Sequence, residues 1–244
     1  MSIQTELARL TNAKAAIQTA IEGKGVTVPS GTLLDGMAAL IDAIEAGGGG
    51  GDDAAIIDSL IDKSITEISS SRVTSIANYA FYQCGELKTA DFPTVKSIGT
   101  YAFEACKSLT TANIPATTSI SNYAFYYCSS LTTTDFPDAT SIGVQAFCRC
   151  SSLTTADFPV AESIDAKAFY YCSKLTALIL RKTYAVCRLL NTNAFNSTPI
   201  ASGTGYIYVP SALVDRYKAA TNWATYADQI RAIEDYPDIT GGAA

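Results

Sequence analysis

The sequence repeats itself every 22 residues, and this period constrains the fold more than any other feature. Residues 91 to 112, DFPTVKSIGTYAFEACKSLTTA, return as residues 135 to 156, DFPDATSIGVQAFCRCSSLTTA. The positions in phase are Ile76, Ile98, Ile120, Ile142 and Ile164; Phe81, Phe103, Phe125, Phe147 and Phe169; Cys84, Cys106, Cys128, Cys150 and Cys172; Leu87, Leu109, Leu131, Leu153 and Leu175; and Pro93, Pro115, Pro137 and Pro159. A unit of this size cannot close a core of its own, so the period indicates a solenoid of stacked units.

Each unit is predicted to contain one short strand and a return segment. In the strand LTTANIP, Leu109, Ala112 and Ile114 are expected to point inward, which leaves Thr111 and Asn113 outside. The proline ends the strand because it has no N–H for the next ladder bond. The segment SI…AFxxC is expected to return the chain through a turn and a short helix, with its Ile, Ala, Phe and Cys side chains inside.

The pattern LxxAx(F/I)PxxxxSIxxxAFxxC resembles the BspA-like leucine-rich repeat, in which the AFxxC element and the Phe-Pro or Ile-Pro step are typical. The resemblance covers roughly residues 65 to 210 and implies an α/β repeat solenoid with helical caps. After Leu175 the Ala-Phe pair arrives four residues late, so an irregular loop is expected near residues 181 to 192. GYIYVP, residues 205 to 210, is predicted to supply the last strand, followed by a C-terminal cap and tail over residues 211 to 244.

The front of the chain differs in composition from the repeats. Residues 1 to 46 carry apolar stripes typical of two helices. A module of this size buries too little surface to be stable alone, so it is expected to attach to a partner or to self-associate. The glycines at 47 to 51 are interpreted as a linker, and residues 52 to 64 as an N-terminal helical cap. The front segment resembles the N-terminal attachment segments of phage and prophage tail-associated proteins, which implies a virion tail component as partner.

The composition disfavours several functional classes. The 17 basic and 23 acidic residues give a net charge of −6, which disfavours nucleic acid and anionic membranes as partners. The chain has no histidine, the commonest general base and a frequent metal ligand, and it contains no common nucleotide-binding or hydrolase motif. No catalytic, cofactor-binding or metal-binding residue is predicted, so the protein is expected not to be an enzyme.

Two further features concern the location of the chain and the state of its cysteines. No signal peptide and no transmembrane run is apparent, so a virion or bacterial cytoplasmic location is expected, without membrane insertion. The in-phase cysteines are predicted to be buried, reduced thiols, because stacked strands aim neighbouring side chains in parallel rather than toward each other. Cys148 and Cys150 form a CxC pair, in which Cys148 is expected to point outward and to hold no metal.

Two sets of side chains are candidate ligand-binding residues. The first consists of polar strand positions that are expected to stack on a concave sheet: Thr89, Thr111, Thr133 and Thr155 in one row, and Asp91, Asn113, Asp135 and Asp157 in the other. The second consists of tyrosines expected at the convex turns: Tyr126, Tyr127, Tyr170 and Tyr171. Both sets also suit a solvated repeat surface without a ligand, and this alternative stays open.

The prediction that follows is a non-enzymatic binding protein. The leading hypothesis is a phage or prophage tail-associated protein whose repeats recognise a protein or glycan on the host surface. The alternatives are a bacterial surface adhesin and an intracellular protein-interaction scaffold. Asp135 and Asp157 are expected to repel each other from neighbouring strands, a repulsion that a cationic or hydroxyl-rich ligand relieves.

Overall fold

The computed structural model describes residues 63–71 and 73–240. The predicted two-helix segment, the linker and nearly all of the predicted N-terminal cap lie outside these residues. The described chain forms the predicted repeat solenoid, in which each full coil contributes one strand to each of two parallel sheets.

The strands of the main sheet have three or four residues, and those of the second sheet have two. In chain-order numbering, the main sheet consists of β1 (Glu67–Ser69), β3 (Thr89–Asp91), β5 (Thr111–Asn113), β7 (Thr133–Asp135), β9 (Thr155–Asp157), β11 (Ala177–Ile179), β13 (Tyr206–Val209) and β14 (Ile230–Ala232). The second sheet consists of β2 (Ser75–Ile76), β4 (Ser97–Ile98), β6 (Ser119–Ile120), β8 (Ser141–Ile142), β10 (Ser163–Ile164) and β12 (Arg188–Leu189). Each strand pairs with its counterparts in the adjacent coils.

The register advances by one repeat per coil. Thr89 pairs with Thr111 in the main sheet, and Ser97 pairs with Ser119 in the second sheet. Between β10 and β12 the interval grows to 25 residues, and the excess lies in the irregular residues 180 to 187. The predicted loop is thus shorter than expected, because β12 and a 3₁₀ helix at Thr192–Phe195 restore the coil.

A ladder of phenylalanine rings runs through the interior between the two sheets. Neighbouring rings stack with centroids 4.9 to 5.6 Å apart, and each ring is fully buried. The ladder consists of Phe81, Phe103, Phe125, Phe147, Phe169 and Phe195. A second buried set, Phe92, Phe136 and Phe158, packs against it at a tilt. The 22-residue period therefore builds one continuous core, as the sequence predicted.

The return segment consists of tight turns in the described coils, and the predicted short helix is wrong. Two residues per turn have positive φ, for example Tyr79 at 61° and Gln83 at 60°, which is incompatible with a continuing right-handed helix. The amide of Phe81 donates to the carbonyl of Ala102 in the next coil at 2.7 Å, whereas that of Tyr82 donates back to Tyr79. Alternate amides thus bond between coils, where a helix would keep them within one coil.

The C-terminal segment closes the end of the array. It contains α1 (Pro199–Ser202), α2 (Val214–Ala219) and 3₁₀ turns at Ser211–Leu213, Trp223–Gln229, Ile233–Asp235 and Pro237–Thr240. Trp223 and Tyr226 pack on the last ladder ring, Phe195, with centroids 6.1 and 5.4 Å away. The strand over 205 to 210 was predicted to be the last strand. This prediction is wrong, because β14 adds to the main sheet beyond β13.

The in-phase cysteines form a second buried ladder with its own hydrogen bonds. Cys106 donates its S–H to the carbonyl of Phe81 in the preceding coil at 3.0 Å, and Cys128, Cys150 and Cys172 make the same contact at 3.0 to 3.2 Å. All seven cysteines are buried and none forms a disulfide. Each thiol therefore acts as a small apolar group that also joins two coils.

Cys148 is buried, so its predicted outward position is wrong. Its residue is only 1% exposed, although it occupies the row of Tyr126 and Tyr170 in the adjacent coils. The physical reason is size, since a small side chain lies below the level of the flanking tyrosines, and the Gln145 amide covers it with Nε2 3.7 Å from Sγ.

Truncation of a ladder ring tests the core. Phe125 is fully buried and stacks on Phe103 and Phe147, so Phe125→Ala is expected to lower the free energy of unfolding by ~3 to 5 kcal/mol. Denaturant titration measures this, with Val160→Ala, at a 38% exposed position, as the control. A loss of less than about 1 kcal/mol at Phe125 would contradict the ladder register.

A glycine substitution tests the contact between coils. Asn78 Oδ1 accepts the amide of Thr100 at 2.8 Å, which brings the Gly99 backbone so close that an added Cβ would lie 2.5 Å from the Asn78 nitrogen. Gly99→Ala is expected to lower the free energy of unfolding by ~1 to 3 kcal/mol. The added Cβ and the Asn78 nitrogen are both fixed to the backbone, so neither atom can move away easily. Gly85→Ala, whose Cβ would meet nothing nearer than 4.0 Å, is the matched control in the same thermal unfolding experiment. Equal losses in the two variants would refute the close approach.

Stability is expected to fall at alkaline pH. Burial raises the pKa of the Cys84 thiol to about 11 and that of Cys187 to about 12. In the unfolded chain thiols ionise near pH ~8.5, so above that pH the unfolded state loses protons that the folded state keeps. The free energy of unfolding is therefore expected to be level below pH ~8 and to fall by ~1.4 kcal/mol per pH unit for each such thiol above pH ~9.

Denaturant titrations across this pH range measure the slope. A Cys84→Ala, Cys187→Ala double variant is the control, because it removes two of the titrating thiols and leaves the lysines and tyrosines in place. An unchanged slope in that variant would show that the Cys84 and Cys187 thiols are not responsible.

Candidate ligand-binding surfaces

The two predicted strand rows lie on the outer face of the main sheet. Thr89 is paired with Thr111 and Thr133 with Thr155 in the first row. In the second row, Asp91 is paired with Asn113, Asn113 with Asp135, and Asp135 with Asp157. The intervening strand residues, such as Ala112, are buried on the inner face. The sequence thus brings all eight predicted side chains to one face.

The charges of the second row are largely paired within the chain. Asn113 donates its amide to Asp91 at 2.6 Å, and Arg181 binds Asp157 through Nη2 at 2.6 Å and Nε at 3.2 Å. Arg181 therefore offsets the expected repulsion between Asp135 and Asp157. Asp135 makes no side-chain hydrogen bond or ion pair with the described residues.

Arg181 is a contact that the sequence interpretation missed. It occupies the position of the strand-ending proline, in register with Pro159 of the preceding coil. The sequence signal for this contact is a cation in place of the expected proline. It lies one repeat after Pro159 and 24 residues after Asp157.

The rows end at the strand after β9. In β11 the outward positions are occupied by Ala177 and Ile179, which are buried beneath Tyr208 and Ile233 in an apolar cluster. A shallow, open pocket of about 310 Å³ lies beside this cluster, lined by Arg181, Thr183, Pro210, Ile233, Glu234 and Pro237. The C-terminal segment thus limits the polar face to the coils before it.

The predicted tyrosines lie on a second surface, the turn edge, defined here as the surface of the AFxxC turns. Tyr127 and Tyr171 are 38% and 46% exposed, and Tyr126 and Tyr170 are half-buried. Tyr170 and Tyr171 meet edge to face with centroids 4.5 Å apart, and a hydrogen bond between their hydroxyls raises the pKa of Tyr170.

Cations lie over the rings of the turn edge. Lys107 Nζ is 5.0 Å from the ring centroid of Tyr127, and the Arg149 guanidinium is 5.4 Å from that of Tyr171. The other pairs are Lys63 with Tyr82 at 5.2 Å and Lys167 with Tyr170 at 5.7 Å. These distances are within the range of favourable cation–π contacts. The sequence interpretation did not single out these cations, and only their spacing relative to the repeat marks them.

A stacked tyrosine ladder on the same edge was also missed. Tyr79, Tyr101 and Tyr123 stack with centroids 5.0 and 4.6 Å apart. Their 22-residue interval was visible in the sequence. The ladder continues the turn edge toward the first coil.

The turn edge holds bulky side chains in a strained backbone conformation. Tyr127, Arg149 and Tyr171 have φ of 60°, 65° and 60°, and Lys167 has 56°. Glycine or asparagine is favoured there, and other residues cost ~1 to 2 kcal/mol in this region. Strained residues are often found at ligand-binding sites.

Two further observations concern the described residues as a whole. Among residues 63–71 and 73–240, no group of three or more His, Cys, Asp or Glu side chains is arranged to hold a metal ion. Within the same ranges, no helix has the length and apolar character needed to cross a membrane.

The two in-register sheets, the 22-residue coil and the ladders of buried side chains define a leucine-rich repeat solenoid. Residues 60–176 match six copies of the BspA type leucine rich repeat region. The repeat region therefore matches the BspA-type leucine-rich repeat, as its sequence pattern predicted. Comparison with curated proteins found no match.

Solved structures share the fold. A leucine rich cell surface protein from Faecalibacterium prausnitzii is 29% identical, with a TM-score of 0.50 over 59% of this chain and 39% of that one. The pneumococcal vaccine antigen PcpA is 15% identical, with a TM-score of 0.56 over 69% of this chain and 41% of its own. A leucine-rich repeat protein from Bacteroides ovatus is 22% identical, with a TM-score of 0.52 over 69% and 42%. The chain thus covers about two fifths of each of these structures.

Proposed function

We propose that this protein is a non-enzymatic binding protein that contacts a protein or glycan at a cell surface through its repeats. The observation that carries the proposal is the turn edge, where exposed tyrosines with cations over their rings recur along the solenoid. Aromatic side chains and arginine are enriched at protein interfaces, where a wettable ring offers both apolar area and a polar tip. The likeness to a leucine rich cell surface protein supports the same setting.

The turn edge is a stronger candidate than the strand rows for a physical reason. The row carboxylates Asp91 and Asp157 already have partners within the chain, so a ligand must compete with Asn113 and Arg181. On the turn edge, Arg149 and Tyr171 keep strained backbone conformations that asparagine or glycine would relieve. The fold requires this conformation in each of these coils, as at Gln83 and Ala105, so only the bulky side chains, and not the backbone conformation, are attributed to binding.

Two settings for this binding are proposed. In the first, the protein is an adhesin of a bacterial surface, in keeping with the relative just described. In the second, it is a phage or prophage tail-associated protein that residues 1 to 46 attach to a virion, and this setting rests on the sequence resemblance alone. Affinity capture of virion proteins by the full chain distinguishes the two settings.

Binding of the labelled full chain to whole cells tests the proposal. Gram-positive bacteria, Gram-negative bacteria and cultured epithelial cells form the panel, and saturable retention on at least one is expected. Tyr171→Asn is expected to weaken that retention at least fivefold without loss of thermal stability, because asparagine tolerates the left-handed conformation.

The controls separate the surface from the fold. Ala105→Asn introduces the same residue at an equivalent left-handed position, away from the exposed Tyr171. This variant should bind within twofold of the wild type. Asp135→Asn should also leave it unchanged. No saturable retention of the wild-type chain on any of these cells would refute the proposed function, and weakening by Asp135→Asn but not by Tyr171→Asn would move the site to the strand rows.

A further inference from the structure

Three of the four cation–tyrosine pairs of the turn edge recur at an interval of about two coils. The pairs are Lys63–Tyr82, Lys107–Tyr127 and Arg149–Tyr171, with 44 and 42 residues between successive cations. Coils that carry parallel strands are ~4.8 Å apart, so the pairs recur at roughly 10 Å along the solenoid. Within each pair the cation and the ring come from two consecutive coils, so the cations of the series recur at every second coil.

We propose that the turn edge binds a linear acidic polysaccharide that carries one acid group per disaccharide, along the series Lys63–Tyr82, Lys107–Tyr127 and Arg149–Tyr171. Two sugar rings in an extended chain are close in length to two coils of the solenoid, so successive acid groups meet successive cations. The apolar face of a sugar ring packs on tyrosine, and the phenol hydroxyls supply hydrogen bonds to sugar hydroxyls. This inference rests on the proposed function and names its ligand class.

The period argues against an acidic peptide bound in a β-strand conformation as the ligand. A strand advances ~3.3 Å per residue, so a repeat of roughly 10 Å corresponds to three residues. Side chains three residues apart point to opposite faces of a strand, and acids at that interval do not all reach one surface. A polysaccharide has no such alternation over a disaccharide.

Three acidic side chains lie near the series: Glu86, which is exposed next to the Gly85 counterpart of Lys63 and Lys107, Glu104 and Asp165. Glu104 is half-buried, and desolvation raises its pKa. Asp165 accepts a hydrogen bond from the amide of Ala166 at 2.6 Å and belongs to the coil of Lys167. Lys167 lies over Tyr170 beside Tyr171 and adds a cation at the end of the series.

The backbone of the series is rigidly held. Tyr127, Arg149 and Tyr171 each donate their amide to the next coil, at 2.8, 2.8 and 3.0 Å. The side chains therefore start from fixed positions, and a ligand needs to order only their ends. Preorganisation of this kind lowers the entropic cost of binding.

Binding of the purified full chain to immobilised hyaluronan, which has one carboxylate per disaccharide, tests the inference. Neutral dextran and poly-glutamate are the comparison polymers. Saturable binding to hyaluronan that weakens with added salt is expected, with no binding to dextran and at least tenfold weaker binding to poly-glutamate.

Charge variants locate the binding to the series. Lys107→Gln with Arg149→Gln is expected to weaken hyaluronan binding at least tenfold. Lys88→Gln with Lys96→Gln removes two exposed cations from the strand sides of the coil that contains Lys107, so it is the control of equal charge change and should stay within twofold. Circular dichroism and thermal unfolding of both double variants should match the wild type.

The outcomes separate this inference from the proposed function. Absence of hyaluronan binding, equal binding to dextran or poly-glutamate, or equal effects of the two double variants would each overturn the polysaccharide assignment. If cells still retain the chain in a Tyr171-dependent manner, the proposed binding function stands with another ligand. If cells do not retain it, the proposed function itself fails.

Discussion

The structure depends on backbone hydrogen bonds between coils, which hold each coil at three places along its circuit. The main strand, the second strand and the turn all bond to the next coil, for example through Thr89 to Thr111, Ser97 to Ser119 and Phe81 to Ala102. Because all three contacts must be in register at once, the coil length is fixed at 22 residues. Equivalent side chains are then forced into ladders, and the stacked phenylalanines and cysteines follow from that alignment. Buried backbone amides need a hydrogen-bond acceptor, and those without one in their own coil donate to a carbonyl of the next coil.

The same constraint explains where the chain departs from its period. Extra residues are accommodated between β11 and β12, in the irregular segment 180 to 187. This segment lies between contacts, so it loops out while Arg188 still meets Ser163 and Phe195 still stacks on Phe169. An insertion within a strand or a turn would break a contact to both neighbouring coils. The interior ladder is therefore continuous even though the sequence period is not.

The interior was predictable from the sequence, and the surface contacts much less so. Phe125 and Cys128 could be placed inside because their interval and apolar character follow directly from stacking. The left-handed turns could not be anticipated, because Tyr79 and Gln83 give no glycine signal and the segment has the length of a helical turn. The burial of Cys148 depends on the size of its neighbours Tyr126 and Tyr170, and a repeat pattern does not weigh side-chain volume.

Among the candidate site residues, position was predictable and partnership was not. The row of Asp91, Asn113, Asp135 and Asp157 follows from the register, and the structure places it on one face. Its charge balance depends on Arg181, which enters where a proline ends the other strands. On the turn edge, Tyr127 and Tyr171 follow from the period, but the cations over them come from other positions of the repeat, Lys107 and Arg149. Contacts between different columns of the repeat require the three-dimensional turn.

The solenoid thus has two long surfaces of different electrostatic character on one core. On the main-sheet face Asp91 and Asp157 have partners inside the chain, and on the turn edge Lys107 and Arg149 lie over aromatic rings. A cation over a ring keeps most of its charge available, because the ring contributes a quadrupole and no counter-charge. An anionic ligand can therefore approach Arg149 without displacing a carboxylate, whereas a cationic ligand at Asp157 must first displace Arg181. This difference in the cost of exchange favours the turn edge over the sheet as the proposed binding surface.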